Sequence, residues 1–413
     1  MSRCSVRHNV LVAVRNVIKS LSILVAHLYL VVSVRWRRRH PRRIIRATAA
    51  FFGHLVLEPE NYLASRIALS RDSWATPGLD TTTRDWWTLG KMRTSPNPTM
   101  ARAWRRHISV PPSWWVDAVI RAGERDPRRA IPQTTASLFG VGNVLDDTTS
   151  QFSLSQREQH RAQSELEKLG VDSQQPYVAL IVRDEKYFDK VGRNLSDGRM
   201  RNRSITDFAP MSVALAQLGI QVIRLGHLVG SELGVEHPMV FDYATSGKRS
   251  ELLDIYIPLT ATAAVSTLTG SDAVSMVGRR PVLYVDISLY AQVFHSTRLT
   301  TWVPARLRDR SNGRLLTLTE VFKKGIGWFV TPQEFHDSQI EVICSTPAEI
   351  AAYASSYAIT ILQEGNYQGN QFTQKKVTST LTDVMGSQGQ AMHGAVRSQL
   401  HEDFLAKYSD FIG

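Results

Sequence analysis

Cationic and small polar residues recur at the ends of apolar runs through the middle of this 413-residue chain. Arg183-Asp184 follows the run 177–182 (YVALIV), and Arg201-Asn202-Arg203 stand just before a helix start at Ser204/Asp207. Arg224-Leu225-Gly226-His227 close the run 220–226, Asp242-Tyr243 end 239–243, and Ser246-Gly247-Lys248 follow in the next loop. Leu268-Thr269-Gly270-Ser271-Asp272 join the run 262–267 to another helix. An arginine fork bonds two anionic oxygens at once, and free backbone N–H groups at a helix start favour an anion. Five such ends in one domain describe a crevice for phosphate groups. The bland alternative is internal: Arg183, Arg224 and Asp242 pair with one another, and Thr269-Gly270-Ser271 is an N-cap.

The elements that must hold these residues alternate. The β-prone runs 177–182, 220–226, 239–243, 262–267 and 281–286 are separated by helical patterns over 205–218, 250–259 and 272–278. Parallel strands need crossover connections, so this rhythm predicts a doubly wound α/β domain, with a ligand at the carboxyl ends of its strands. Upstream, Ile44–Phe52 and then Leu55–Arg66 read as strand, turn and helix, and helices are predicted over 113–123 and 156–169. Residues 70–115 read as irregular, rich in Pro and in Trp74, Trp86, Trp87, Trp104, Trp114 and Trp115, which suits a loop packed onto a core. The C-terminus reads as helical over 347–363 and 393–412, with a polar stretch between.

Net charge is +12, yet residues 1–50 hold eleven of the 49 basic residues and no acidic one. The other 38 face all 37 acidic residues, so the body lacks the clustered excess that nucleic acid demands. Two cysteines, Cys4 and Cys344, exclude a disulfide framework and a cysteine zinc site. No Gly-x-Gly-x-x-Gly, Walker lysine, nucleophile elbow, His-Glu-x-x-His or Asp-x-Asp occurs, so no resident metal or cofactor is expected. In the tail, Ser20–Val34 carries no full charge and is followed by Arg35, Arg37, Arg38, Arg39, Arg42 and Arg43. That run is short for a spanning helix and unlike a signal peptide. It predicts a helix on, or dipping into, an anionic cytoplasmic membrane face, peripheral or shallowly inserted. A helix packed on the body is the other reading.

Taken in order, these residues resemble a family of bacterial glycosyltransferases of surface carbohydrate synthesis. The resemblance rests on Val182-Arg183-Asp184, Arg201-Asn202 with Ile205, Val222-Ile223-Arg224-Leu225-Gly226, Asp242-Tyr243-Ala244, Lys248 with Asp254-Ile255, and Thr269-Gly270-Ser271 ahead of Pro281. Gly53-His54-Leu55 with Glu60 and Tyr62-Leu63, and Phe404-Leu405 near the end, extend it over 44–412. More remotely the chain is similar to fucosyltransferase-type enzymes whose His-x-Arg holds a donor diphosphate; here that position reads Ile181-Val182-Arg183, without the histidine. The family's Ser-Ser-Gly turn stands altered as Leu268-Thr269-Gly270.

The resemblance implies a GT-B-like α/β fold: two facing Rossmann-like domains with a cleft between them, here preceded by the apolar N-terminal helix. The expected division is a membrane-associating helix over 1–43, an acceptor-side α/β domain over 44–170, a nucleotide-sugar domain over 171–345 and C-terminal helices over 346–413. It implies a nucleotide-sugar donor as substrate, no cofactor, and a glycan or lipid-linked acceptor. Arg183, Arg201, Asn202, Arg224, Gly226, Asp242, Tyr243, Lys248, Thr269, Gly270 and Ser271 would bind the donor. Arg183 would also act in catalysis, with His54 as base and Asp184 as runner-up. A catalytically silent sugar-nucleotide or glycan binder of the same fold is the alternative.

Overall fold

The computed structural model describes residues 3–39, 42–48, 50–72, 85–89, 95–140, 142–184, 186 and 200–413. Trp74 lies outside them. The chain packs as two units, Met1–Leu55 with Ala75–Ala136 and Val56–Trp74 with Ser137–Gly413.

The first unit is a small parallel sheet faced by helices. Its centre is β1 (Ile44–Arg46), flanked by β2 (Trp86–Thr88) and β3 (Gln133–Thr135). The stretch that reads as irregular thus contributes a strand, and it adds the helix Pro98–Trp104, capped by Asn97. Trp86, Trp87 and Trp104 are buried while Trp114 stays exposed, so most of the tryptophans pack as the sequence suggests. The N-terminal helix Arg3–Val32 packs on the helix Ser113–Arg125. Ile23, Ala26 and Leu30 recur at spacings of three and four, which puts them on one helix face. That face joins Ile44, Trp86, Val116, Val119, Ala122 and Ile131 in one apolar cluster. The sequence predicts a tail separable from the body; the structure makes its second half part of the first unit's core. The cause is local: a three-stranded sheet offers few apolar side chains, and the helix completes the set.

The second unit carries the alternation read from the sequence. Its strands are β4 (Tyr177–Ile181), β5 (Gln221–Leu225), β6 (Val240–Phe241), β7 (Ala263–Ser266), β8 (Val282–Ile287) and β9 (Thr300–Pro304). An antiparallel pair of β10 (Arg306–Asp309) and β11 (Ile340–Ile343) stands apart, and β12 (Gln399–Leu400) rejoins the main sheet. The seven-stranded order is β12-β9-β8-β7-β4-β5-β6, and every pairing is parallel. Such strands are buried on both faces and read as apolar runs, continuous in β4 and broken only by Asp286 in β8. The connections Ala209–Gln217, Leu253–Thr260 and Ala273–Val277 are the predicted crossover helices.

Three expectations about this unit need correction. The segment 137–170 belongs to it, and not to the N-terminal domain. Asn143 donates to the carbonyls of Ser296 (2.6 Å) and Ala395 (2.9 Å), and Asp146 accepts from the Thr297 hydroxyl (2.6 Å) and the Arg298 amide (3.0 Å). The polar stretch near the C-terminus is the helix Gln371–His393, interrupted at Gly386, where φ is 54°. Asn370 caps it by accepting from the Phe372 and Thr373 amides, and Val377, Leu381 and Met385 bury a stripe one residue wide. So thin a stripe among Gln and Thr leaves little amphipathic signal. Residues 393–412, expected as one helix, instead hold β12, the helix Glu402–Lys407 and a last 3₁₀ turn.

Candidate functional site

In the second unit the chain proceeds from β4 outward to β5 and β6, then returns across β4 to β7, β8 and β9. The reversal lies between β4 and β7. In open parallel sheets of this winding the ligand crevice lies at that reversal, beyond the carboxyl ends of the two strands. Here those ends deliver Arg183 from β4 and the turn Thr267–Asp272 from β7.

The two ends are tied together. Arg183 donates its backbone N–H to Thr267 Oγ1 (2.9 Å) and pairs with Asn202 in a parallel bridge. That bridge carries Arg201 to the same place, where its guanidinium donates to the Leu268 carbonyl (3.2 Å). Leu268 has a φ of 62°, a left-handed conformation that costs a branched residue strain. Thr269, Gly270 and Ser271 follow it, each half-buried.

Asp272 organises this turn. It is fully buried, accepting the Ser266 hydroxyl (2.6 Å) and the Thr269 amide (2.6 Å) on the same oxygen. The helix behind it, Ala273–Val277, is a little over one turn long. The anion nest predicted there is therefore filled in part by the chain's own carboxylate. Burial pushes the Asp272 pKa up to about 6, against the pull of its two hydrogen bonds and of the Arg201 and Arg183 charges. The sequence places Asp272 in the turn but gives no sign that it governs it.

A raised carboxyl pKa has a definite sign in stability. The folded chain holds the proton more tightly between the ordinary carboxyl value of 3.8 and about 6, so Asp272 costs stability as pH rises through that window. Asp272→Asn is expected to flatten the loss between about pH 4 and pH 6. Asp254, raised to about 6 mainly by burial, keeps its own part of the slope. Denaturant melts across that range check this, and an unchanged slope in the variant contradicts the assignment.

The neighbouring strand ends are otherwise occupied. Arg224 is 2% exposed and donates to Asp242 (2.9 Å) and to the Ser231 carbonyl (2.7 Å). Asp242 also accepts the Leu233 amide (2.8 Å). Tyr243 is buried, its hydroxyl shared among Ser250 and Asp254, and burial raises its pKa. Gly226 is required sterically, because a Cβ there would sit 2.4 Å from Val229 Cγ1. Lys248 is exposed and donates to the Lys168 carbonyl (2.7 Å) at the end of the helix Gln156–Glu167. Of the internal pairing weighed against a crevice, Arg224 with Asp242 is present. Asp184 accepts the Gly230 (2.8 Å) and Lys186 (2.9 Å) amides, which fastens the loop after β5 to the end of β4.

Arg203, named in the sequence but given no role, is the structural member of its triplet. It pairs with the buried Asp286 (2.6 Å) and with Asp207 (3.0 Å). His54 belongs to the first unit, in the opening turn of the helix Phe52–Asp72, with its ring 5.7 Å from Phe51. The first unit also has a hollow of about 560 Å³ lined by Arg46, Arg121 and Arg125 with Asp117 and Glu124. Among the described residues, no group of three or more His, Cys, Asp or Glu side chains is arranged to hold a metal.

Comparison with known proteins adds little to this geometry. No family model matches the chain, and no curated protein sequence does. Among solved structures, the ADP-heptose lipopolysaccharide heptosyltransferase II of E. coli aligns with 59% of this chain and 84% of its own, at 11% identity and a TM-score of 0.30. A likeness of that degree carries nothing about activity.

Proposed function

We propose that the chain is a metal-independent glycosyltransferase, moving a sugar from a nucleotide-sugar donor to a glycan or lipid-linked acceptor in surface polysaccharide synthesis at the cytoplasmic face of a membrane. The observation that carries this is the reversal between β4 and β7, where Arg183, Arg201 and the strained turn Leu268–Ser271 meet beyond the strand ends. Departure of a nucleoside diphosphate builds negative charge, and fixed guanidinium groups stabilise it without reorganising. Arg183 and Arg201 take that role, with Asn202 and Thr269–Ser271 offering hydrogen bonds. Arg224, Asp242, Tyr243, Gly226 and Lys248 support the loops around them. His54 is the base, Asp184 the alternative, and the first unit is the acceptor side of a GT-B-like pair. Its hollow, with three guanidinium groups against two carboxylates, suits an acceptor that bears phosphate.

A second reading follows from Ile181. It is buried at the end of β4, where related sites would offer a histidine, so that position supplies no proton transfer. A silent binder of sugar nucleotides fits this. Calorimetric titration with nucleoside diphosphates followed by turnover of labelled nucleotide sugars separates the two: binding with turnover supports the enzyme, and binding alone supports the silent form. Absence of binding to any nucleoside diphosphate overturns both.

Positive side chains in place of a cation predict a simple behaviour. Excess EDTA is expected to leave turnover unchanged. A loss restored specifically by manganese would mean that a metal carries the charge.

A further inference from the structure

The N-terminal helix has two unlike sides. At 100° per residue, Arg15, Lys19, Ile23, Ala26 and Leu30 fall within an arc of about 80°. Ile23, Ala26 and Leu30 are the side chains packed in the first unit's core, and Arg15 and Lys19 continue that arc toward the N-terminus. Leu11, Val14, Val17, Ile18, Leu21, Leu24, Val25, Leu28, Val31 and Val32 occupy an opposite arc of about 160°. All of them are exposed, with Leu21, Leu24 and Leu28 at 56%, 66% and 62%. The stripe runs the length of the 22-residue apolar segment Leu11–Val32, about 33 Å, without one charge.

We infer that this stripe is seated in one leaflet of an anionic bilayer, the helix lying in the membrane plane with the first unit on its aqueous side. This refines the membrane association proposed above and is independent of the catalytic reading. Four observations point to lipid as the occupant. The protein body and the charges Arg15 and Lys19 share one side of the helix, which is the arrangement an in-plane helix needs. A spanning helix would have to carry Lys19 into the hydrocarbon and shed its contacts with Val116 and Val119. Exposed Arg35 and Arg38 follow the stripe directly, placed for anionic headgroups. Trp36 and Trp114, 44% and 61% exposed, flank the same end, and amphipathic indoles favour the headgroup boundary. Trp114 is linked to the helix through Trp115, whose ring lies 5.5 Å from Tyr29. The stripe is made of bulky Leu, Val and Ile, without the small residues that let two helices approach closely.

The test uses the full chain with vesicles of phosphatidylglycerol and phosphatidylcholine. Leu21→Glu with Leu28→Glu is expected to reduce vesicle co-sedimentation at least tenfold while leaving the melting temperature unchanged, because neither residue packs in the core. Lys19→Cys and Leu24→Cys, each in a Cys4→Ser/Cys344→Ser background, report the orientation through a charged thiol reagent. On vesicles the cysteine at 19 should react and that at 24 should be protected; without vesicles both should react. Protection of both on vesicles indicates a spanning helix and overturns the in-plane seat. Protection of position 24 without vesicles, with a doubled mass in solution, means a second copy covers the stripe and overturns the lipid assignment. Nucleoside-diphosphate titration on the same variants keeps the two readings apart, since loss of vesicle binding alone leaves the glycosyltransferase reading intact.

Discussion

Arg183→Ala is expected to weaken nucleoside-diphosphate binding by about ten- to a hundredfold, because a hydrogen bond to a charged group is worth about 1.5–3 kcal/mol. The fold should hold. The tie between β4 and β7 at this point runs through the Arg183 backbone, which donates to Thr267 Oγ1 and accepts from the Arg203 amide (3.3 Å). Alanine keeps both. Arg224→Ala is the informative contrast, since it strips the Asp242 carboxylate of its buried partner and should lower the melting temperature first. Calorimetric affinity beside a thermal melt for both variants decides the matter. Wild-type affinity in Arg183→Ala removes the β4 end from the donor site.

Loss of the N-terminal helix should be felt in the first unit's core. A chain starting at Arg43 is expected to aggregate or to lose the cooperative melt of that unit, since Ile23 and Leu30 leave Ile44, Val119 and Ala122 uncovered. Each large apolar side chain contributes about 1.5–3 kcal/mol by its burial. Leu30→Ala is the milder probe. It should cost about 2–5 kcal/mol and raise hydrogen exchange over the helix Ser113–Arg125. A soluble truncated protein with a wild-type melt would show the helix to be dispensable to the unit.

The second unit was largely legible because its strands are buried on both faces. Runs such as YVALI and VLYVDI can hardly be anything else when Gly219 and Gly278 punctuate the helices between them. β9 was not, since Thr300, Thr301 and Pro304 carry no such run; Trp302 and Val303 supply its apolar content. The extent of the first unit was hidden for a different reason. Its contacts join residue 30 to residues 44, 86 and 119, and no periodicity announces a pairing at that separation. At the candidate site, strand-end position alone puts Arg183, Arg201, Asn202 and the Thr269 turn at the reversal between β4 and β7. It could not distinguish them from Arg224, whose pairing with Asp242 depends on the curl of the loop holding Ser231 and Leu233. Nor could it foresee that Asp272 turns back into its own turn.

The seven-stranded sheet ends at both margins in strands of two residues, Val240–Phe241 and Gln399–Leu400. A foreign strand adds to a sheet by extending its unpaired backbone row, and a row of two residues gives it almost nothing to grip. The apolar strands β4 and β8 are each enclosed by neighbours on both sides. Runaway association of copies therefore has little purchase on the sheet, and the surface that governs solubility outside a membrane is the charge-free face of the N-terminal helix.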